Sequence, residues 1–366
     1  MRINGRDYRT IWPDPDGRAV RVIDQTSLPH EFRIHALVNC DDAAVAISEM
    51  TVRGAPLIGV AGAYGVALAA ADDPSDRAIE MACEKLLRTR PTAVNLRWAL
   101  DRLRALLLQA PPGERHAIAY AEAAAIADEE VRRCEAIGAF GATLIRDAAA
   151  RHPNRPVNIL THCNAGWLAA VDWGTALAPI YKAARAEVPV HVWVAETRPR
   201  NQGASLTAFE LLHESIPHTV IADNAGGHLM QHGHVDLCIV GSDRTTRAGD
   251  VCNKIGTYLK ALAAHENCVP FYVALPSSTI DWRISDGVAE IPIEERGAKE
   301  VTHISGRAED GAIIKVRLTP DGSPAQNFGF DVTPARYVTA LVTERGICPA
   351  SEAGLKTLFS NPETDG

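Results

Sequence analysis

The chain lacks most of the short signatures that announce an enzyme class, and each absence removes a class. No two of its eight cysteines stand as C-x-x-C, so there is neither a Cys-rich zinc knuckle nor a disulfide framework to read, and reduced thiols are expected. No G-x-G-x-x-G and no G-x-x-x-x-G-K-[ST] occurs, which excludes a dinucleotide fingerprint and a P-loop. H-E-x-x-H and G-x-S-x-G are also missing, and Ser277-Ser278 has no assignable histidine partner. A formal charge of −8, from 37 Lys+Arg against 45 Asp+Glu, argues against a broad nucleic-acid or anionic-membrane surface but not against one basic pocket. The longest uncharged run, Ala55 to Ala71, is rich in small residues and contains Pro56, so it reads as a packed helix rather than a membrane span. The opening stretch MRINGRDYRTIWPDPDG has no secretory core. These readings point to a soluble, cytoplasmic protein.

What is present is globular: 366 residues, 46% hydrophobic and 22% charged, enough for one large domain or two ordinary ones. Short strands are expected at Asp7–Trp12 and Ala19–Ile23. Helices are expected at Asp41–Thr51, Leu57–Ala71, Ser75–Arg88, Val94–Leu108 and from about Arg115 to Ala150. The segment Arg151-His152-Pro153-Asn154-Arg155-Pro156 then breaks the pattern. Beyond it, apolar runs at Val157–Leu160, Val190–Val194, Thr219–Ile221, Leu237–Val240 and Phe271–Ala274 alternate with expected helices. Those helices are Leu168–Ala184, Leu206–Glu214, Gly227–His232 and Lys254–His265, with a last one at Pro334–Glu344. The fold class is therefore α/β: a Rossmann-like parallel sheet over residues 151–366, preceded by a mainly helical N-terminal domain with a few short strands over residues 1–150.

Each expected strand runs into a polar, mostly Gly-containing loop: Thr161–Gly166, Glu196–Gly203, Asp223–Gly227, Gly241–Arg244 and Pro276–Thr279. Ligands of open parallel sheets bind outside the carboxyl ends of the strands, where such loops converge. With no nucleotide motif, the ligand is expected to be a small phosphorylated molecule held by helix N-termini and by Arg53, Arg90, Arg198, Arg200 or Lys254. Arg53 and Arg90 belong to the first half, so a shared site would lie between the halves. Two residues just past strand ends can exchange protons, Cys163 and Asp243. Alone, Cys163 could be a buried filler, and Asp243 a loop carboxylate paired to Arg244. His228, His232 and His234 have the spacing of a metal pair, but no Glu joins them and Gly233 marks a helix end, so no metal is expected.

Several segments carry a resemblance: TVRGAPLIGVAGAYGVALA from Thr51, RPTAVNLRWAL from Arg90, ILTHCNAGWLAAVDWGTALAPI from Ile159 and ETRPRNQGASLTAFEL from Glu196. To these are added ADNAGGHLM, GSDRTTRAGDVCNKIGTYLKALAA, PFYVALPSSTID, IPIEER and FDVTPARYVTALVTERG. In this order they resemble the methylthioribose-1-phosphate isomerases, a family shared with the regulatory subunits of the translation-initiation exchange factor. The resemblance implies a cofactor-free homodimer that converts 5-methylthioribose 1-phosphate into 5-methylthioribulose 1-phosphate in methionine salvage. By motif it implies an acid–base pair, Cys163 and Asp243. Substrate contacts are implied at Arg53, Gly54, Ala55, Arg90, Gln202, Asn253 and Lys254. The run RTTRAGDV after Asp243, with Trp167 and Trp173, departs from the family's usual pattern. These departures bear on the fit of the 5-substituent and bring in 5-deoxyribose 1-phosphate as a second substrate. Rival expectations are a non-catalytic subunit, an isomerase of a 1,5-bisphosphate, or a zinc hydrolase.

Overall fold

A computed structural model describes residues 1–90 and 93–359; Pro91 and Thr92 of the R-P-T motif and residues 360–366 lie outside the described residues. The amino-terminal part packs helices Cys40–Ser48, Ala55–Asp72, Asp76–Thr89 and Val94–Gln109 beside an antiparallel meander of Ile11–Pro13, Val20–Ile23 and Ile34–Leu37. Asn39 and Ser75 cap two of these helices through side-chain oxygens, as their short polar side chains favour. The small-residue helix Ala55–Asp72 is buried almost along its whole length in the middle of this cluster.

The thirty-seven-residue helix Arg115–Arg151 joins the two halves. Its first half, with Ala119, Ala123 and Ile126, packs into the helical cluster. Its second half, with Ile137, Ile145 and Ala148, covers one face of the main sheet.

That sheet has seven strands. In spatial order they are Gly346–Cys348, Ala340–Thr343, Phe271–Ala274, Leu237–Val240, Val157–Thr161, Val190–Ala195 and His218–Ile221. All pairings are parallel except that of the Gly346–Cys348 edge. The first six strands in chain order stand as 3-2-1-4-5-6, the doubly wound arrangement. Alternation along the strands serves two cores: Ile159, Val192 and Ile239 face helix Ala178–Arg185, while Leu160, Cys238 and Val240 face helices Ala225–Gln231 and Thr257–Glu266.

Three expected helices are corrected. Pro334–Glu344 is a single 3-10 turn followed by the sheet strand Ala340–Thr343, because Ala-Leu-Val-Thr completes the sheet beside Phe271–Ala274. Leu168–Ala184 is helical only from Ala178. Before it, a short turn at Trp167–Ala169 and an irregular stretch fold back under the sheet edge. Lys254–His265 begins at Thr257, and Lys254 itself ends a strand. That strand, Val251–Lys254, belongs to a second sheet not read from the sequence, ordered Ile280–Asp281, Arg244–Thr246, Val251–Lys254, Phe330–Thr333. A hairpin of His303–Arg307 and Ile313–Arg317 stands outside both sheets.

Candidate active site

In the doubly wound order the chain reverses direction between strands Val157–Thr161 and Leu237–Val240, and crevices open there at the carboxyl ends. Cys163 lies two residues past the first of these strands and Asp243 three past the second. Both line the same two adjoining cavities, with about 630 and 410 Å³ of empty space counting their mouths. Arg53, Gly54 and Ala55 from the helical half line both as well. Arg90, Gln202 and Lys254 line the larger, and Asn253 lines the smaller. The nine residues that the family motifs imply thus all line one or both cavities.

Cys163 is buried and adopts a left-handed backbone conformation (φ 64°), which costs a residue with a Cβ on the order of 1–2 kcal/mol. The surroundings hold it there: its N–H donates to Thr197 Oγ1 at 2.8 Å and its carbonyl accepts from Thr207 Oγ1 at 2.7 Å. Thr197 is itself left-handed (φ 66°), with its N–H donated to the Asp223 carboxylate at 2.7 Å. The thiol donates to Gln202 Oε1 at 3.3 Å. Burial raises the thiol's pKa, and Asp243 adds to this against the lowering pull of Arg53 and Lys254, so the resting group keeps its proton.

Asp243 is fixed through its backbone, whose N–H donates to Cys252 O at 2.9 Å, and is not the partner of Arg244; that guanidinium is bound to Asp281. Burial raises the Asp243 pKa, with Glu294 adding to it, against Lys254, Arg90 and Arg53. A carboxyl whose pKa burial raises and a protonated thiol thus line the same two adjoining crevices. This is the equipment of acid–base chemistry at two positions of a small ligand.

The cations around them are buried. Arg53 donates Nη1 to Asn164 Oδ1 at 2.5 Å and Nη2 to Asn164 O at 2.8 Å, while its Nε is buried and without a partner. Beside it, the helix beginning at Ala55 has no side-chain cap, and its first-turn amides add positive potential. Gly54 makes this approach possible: with φ 102°, a Cβ here would fall 2.4 Å from Ala169 O and 2.5 Å from its Cα. Lys254, whose pKa burial lowers, donates to Gly329 O at 2.8 Å and lies 4.3 Å from the Phe330 ring centroid. Arg90 pairs with Glu294 at 3.1 Å, and Asn253 donates to Thr257 Oγ1 at 3.0 Å. An unpaired buried donor, a bare helix start and clustered cations together suit a phosphate.

The larger cavity also has an apolar side built by Met50, Ile58, Ala93, Ile291, Pro292 and Phe330, none of them singled out from the sequence. Arg198 and Arg200 do not reach either cavity: Arg198 bonds the carbonyls of Pro199 and Val301, and Arg200 pairs with Glu300 beside an outer groove. Trp167 is fully buried in the core and Trp173 is covered by Lys182 and Arg185, so neither shapes the cavity. Of the RTTRAGDV run, only Arg244 lines it. His228 and His232 lie ring against ring at 4.2 Å, with His232 Nδ1 bonded to His228 O. Among the described residues no three His, Cys, Asp or Glu side chains form a metal-holding group.

Comparison with known proteins converges on one answer. The initiation factor 2 subunit family matches residues 51–350. The methylthioribose-1-phosphate isomerase of Methylorubrum extorquens is 66% identical over 359 residues, 98% of either chain. Among solved structures, 5-methylthioribose 1-phosphate isomerase from Pyrococcus horikoshii superposes with a TM-score of 0.80 at 39% identity, over 97% of this chain and 96% of that one. The delta subunit of translation initiation factor eIF-2B from A. fulgidus gives 0.79 at 36% identity, over 97% and 100%. The chain belongs to the initiation factor 2 subunit family and, within it, to the methylthioribose-1-phosphate isomerases.

Proposed function

We propose that this protein isomerises 5-methylthioribose 1-phosphate to 5-methylthioribulose 1-phosphate in methionine salvage, with Cys163 and Asp243 as its acid–base pair. The observation that carries the reading is their convergence, with Arg53, on two adjoining crevices at the point where the strand order reverses. A non-catalytic subunit has no use for two proton-bearing groups at such a place.

The anomeric oxygen of the substrate carries phosphate, so the ring cannot open by itself to a free aldehyde. Asp243, whose pKa burial raises, gives its proton to the ring oxygen as the C1–O bond breaks. Hydrogen then moves from C2 to C1, and the C2 hydroxyl loses its proton to become the ketone, which restores the enzyme's proton count. Cys163 serves this transfer. Arg53, Gly54, Ala55, Arg90, Gln202, Asn253 and Lys254 hold the substrate, and the enclosure keeps water from the intermediate. The apolar side of Met50, Ile58, Ile291 and Phe330 receives the methylthio group. A 5-deoxy sugar fits the same wall with less contact, whereas a 5-phosphate would lie against carbon. Turnover should therefore fall from 5-methylthio to 5-deoxy to 5-phospho substrates.

Cys163→Ala and Asp243→Asn should each reduce kcat by roughly 10²–10⁴-fold with the fold intact. Near-normal turnover in both purified variants would sink the assignment. With substrate deuterated at C2, full retention at C1 assigns a hydride shift past a neutral thiol, and washout assigns an enediol. For the enediol, Cys163 must first give up its thiol proton so that the thiolate can take the C2 proton and return one to C1. A cytoplasmic homodimer belongs to the same reading, and light scattering of the purified protein tests the dimer.

A further inference from the structure

Glu210 is a fully buried carboxylate that neither cavity contains and the mechanism above does not use. It stands on helix Ala208–His213 between Phe209 and Leu211, also buried, where a charge is costly unless it is fully bonded. It is fully bonded. Oε1 accepts from Asn164 Nδ2 at 2.8 Å and from the Leu168 N–H at 3.0 Å. Oε2 accepts from the Trp167 N–H at 2.9 Å and from the Tyr181 hydroxyl at 2.5 Å. The space it fills is vacated by Gly166, where a Cβ would fall 1.8 Å from Oε2.

Three of these bonds lead to the anion grip, by two separate routes. Asn164, oriented by giving its amide hydrogens to Glu210 and Thr207, turns Oδ1 toward Arg53 and takes both ends of the guanidinium fork. The Trp167 and Leu168 amides begin the turn Trp167–Ala169, and Ala169 is the residue against which Gly54 is pressed at the start of helix Ala55–Asp72. We propose that Glu210 is a positioning residue that sets both halves of the phosphate grip, the Arg53 guanidinium through Asn164 and the Gly54–Ala55 helix start through the Trp167–Ala169 turn. The proposal rests on the reading of Arg53 as a phosphate ligand. Two of the four donors are backbone N–H groups that cannot reverse, and the Asn164 amide is held in its orientation by Arg53 on Oδ1, so the bonding favours the carboxylate. Burial works against them and pushes the pKa up to about 7.

The test is Glu210→Gln. Each oxygen takes two donors, so whichever one becomes NH₂, at least one backbone N–H is left facing a donor. KM for the sugar 1-phosphate should rise by about tenfold or more while kcat changes by less than about threefold. Inorganic phosphate, used as competitive inhibitor, should weaken by the same factor as KM. Combined with Arg53→Met the losses should be less than multiplicative, because both substitutions act on one grip. A folded Glu210→Gln enzyme with unchanged KM and phosphate inhibition overturns the proposal, as do losses that simply multiply with those of Arg53→Met. If Arg53→Met alone leaves KM unchanged, what fails is the underlying assignment of Arg53. Should Glu210→Gln not fold, Asn164→Ala carries the test. It cuts the carboxylate from Arg53 and keeps the two backbone bonds, and an unchanged KM there is equally fatal.

Discussion

Burial raises the Asp243 pKa, and Lys254 exerts the largest pull against it, followed by Arg90 and Arg53. The sign of a pH effect follows. On the proposed mechanism turnover needs the protonated carboxyl, so kcat should fall as pH rises through the Asp243 pKa. An ammonium nearby favours the carboxylate and holds that limb at lower pH. Lys254→Met removes the pull, and the alkaline limb of the kcat–pH profile should move to higher pH even as substrate affinity drops. A limb that stays in place or moves down would show that Asp243 is not the titrating acid. Gly54 makes a second residue-level demand. Its positive φ and its contact with the Ala169 backbone leave no room for a methyl group. Gly54→Ala should cost on the order of 1–3 kcal/mol in thermal unfolding and should cripple turnover, since the helix start is displaced.

Among elements, the long helix Arg115–Arg151 offers a test in which propensity and packing disagree. Gly→Ala inside a helix ordinarily gains about 1 kcal/mol. At Gly141, however, a Cβ would lie 2.4 Å from Pro179 Cγ and 2.9 Å from its Cβ, across the contact with helix Ala178–Arg185. Gly141→Ala should therefore destabilise by about 1–3 kcal/mol in denaturant unfolding; a gain would mean that the two helices can separate at no cost. The same contest between local pattern and packing decides what could be read from the sequence. The long helices were legible because their periodicity persists over many residues, and five of the sheet's strands because each is a short apolar run between helical stretches. Ala340–Thr343 was misread as helix because three apolar residues and a threonine carry no period of their own. The second sheet escaped notice for a related reason: Arg-Thr-Thr, Val-Cys-Asn-Lys and Ile-Asp are short and largely polar. That sheet supplies Lys254 and Phe330, so the site's cations were readable while its apolar wall was not. Cys163 and Asp243 were visible because each follows a clear strand. Glu210 was signalled only as a lone charge between Phe209 and Leu211, and nothing local says where its oxygens go.

At the scale of the whole molecule, the site is also a seam. Arg53 grips Asn164. Asn95 donates to Ser278 Oγ at 2.9 Å, Ser278 donates to Glu130 at 3.1 Å, and Arg90 reaches Glu294. Arg53 and Asn95 tie the amino-terminal half to loops that follow strands of the main sheet, and Ser278 holds one of these loops to helix Arg115–Arg151. Arg90 reaches the segment after helix Gly287–Glu290, so the cavity exists only while both halves are folded and apposed. A ligand there binds the native state alone, and its binding free energy adds to stability as RT ln(1 + [L]/Kd), about 2.7 kcal/mol at a hundredfold excess over Kd. Cys163→Ala, expected to slow turnover by roughly 10²–10⁴-fold, lets this be measured with little conversion, and its thiol lies outside the proposed anion grip. With saturating 5-methylthioribose 1-phosphate this variant should unfold in one cooperative transition at a higher temperature than without it. Adding Arg53→Met should abolish the shift at the same ligand concentration. A ligand shift that survives loss of Arg53 would place the phosphate elsewhere. Two separate transitions, only one of them moved by ligand, would mean that the halves are not joined by the site they enclose.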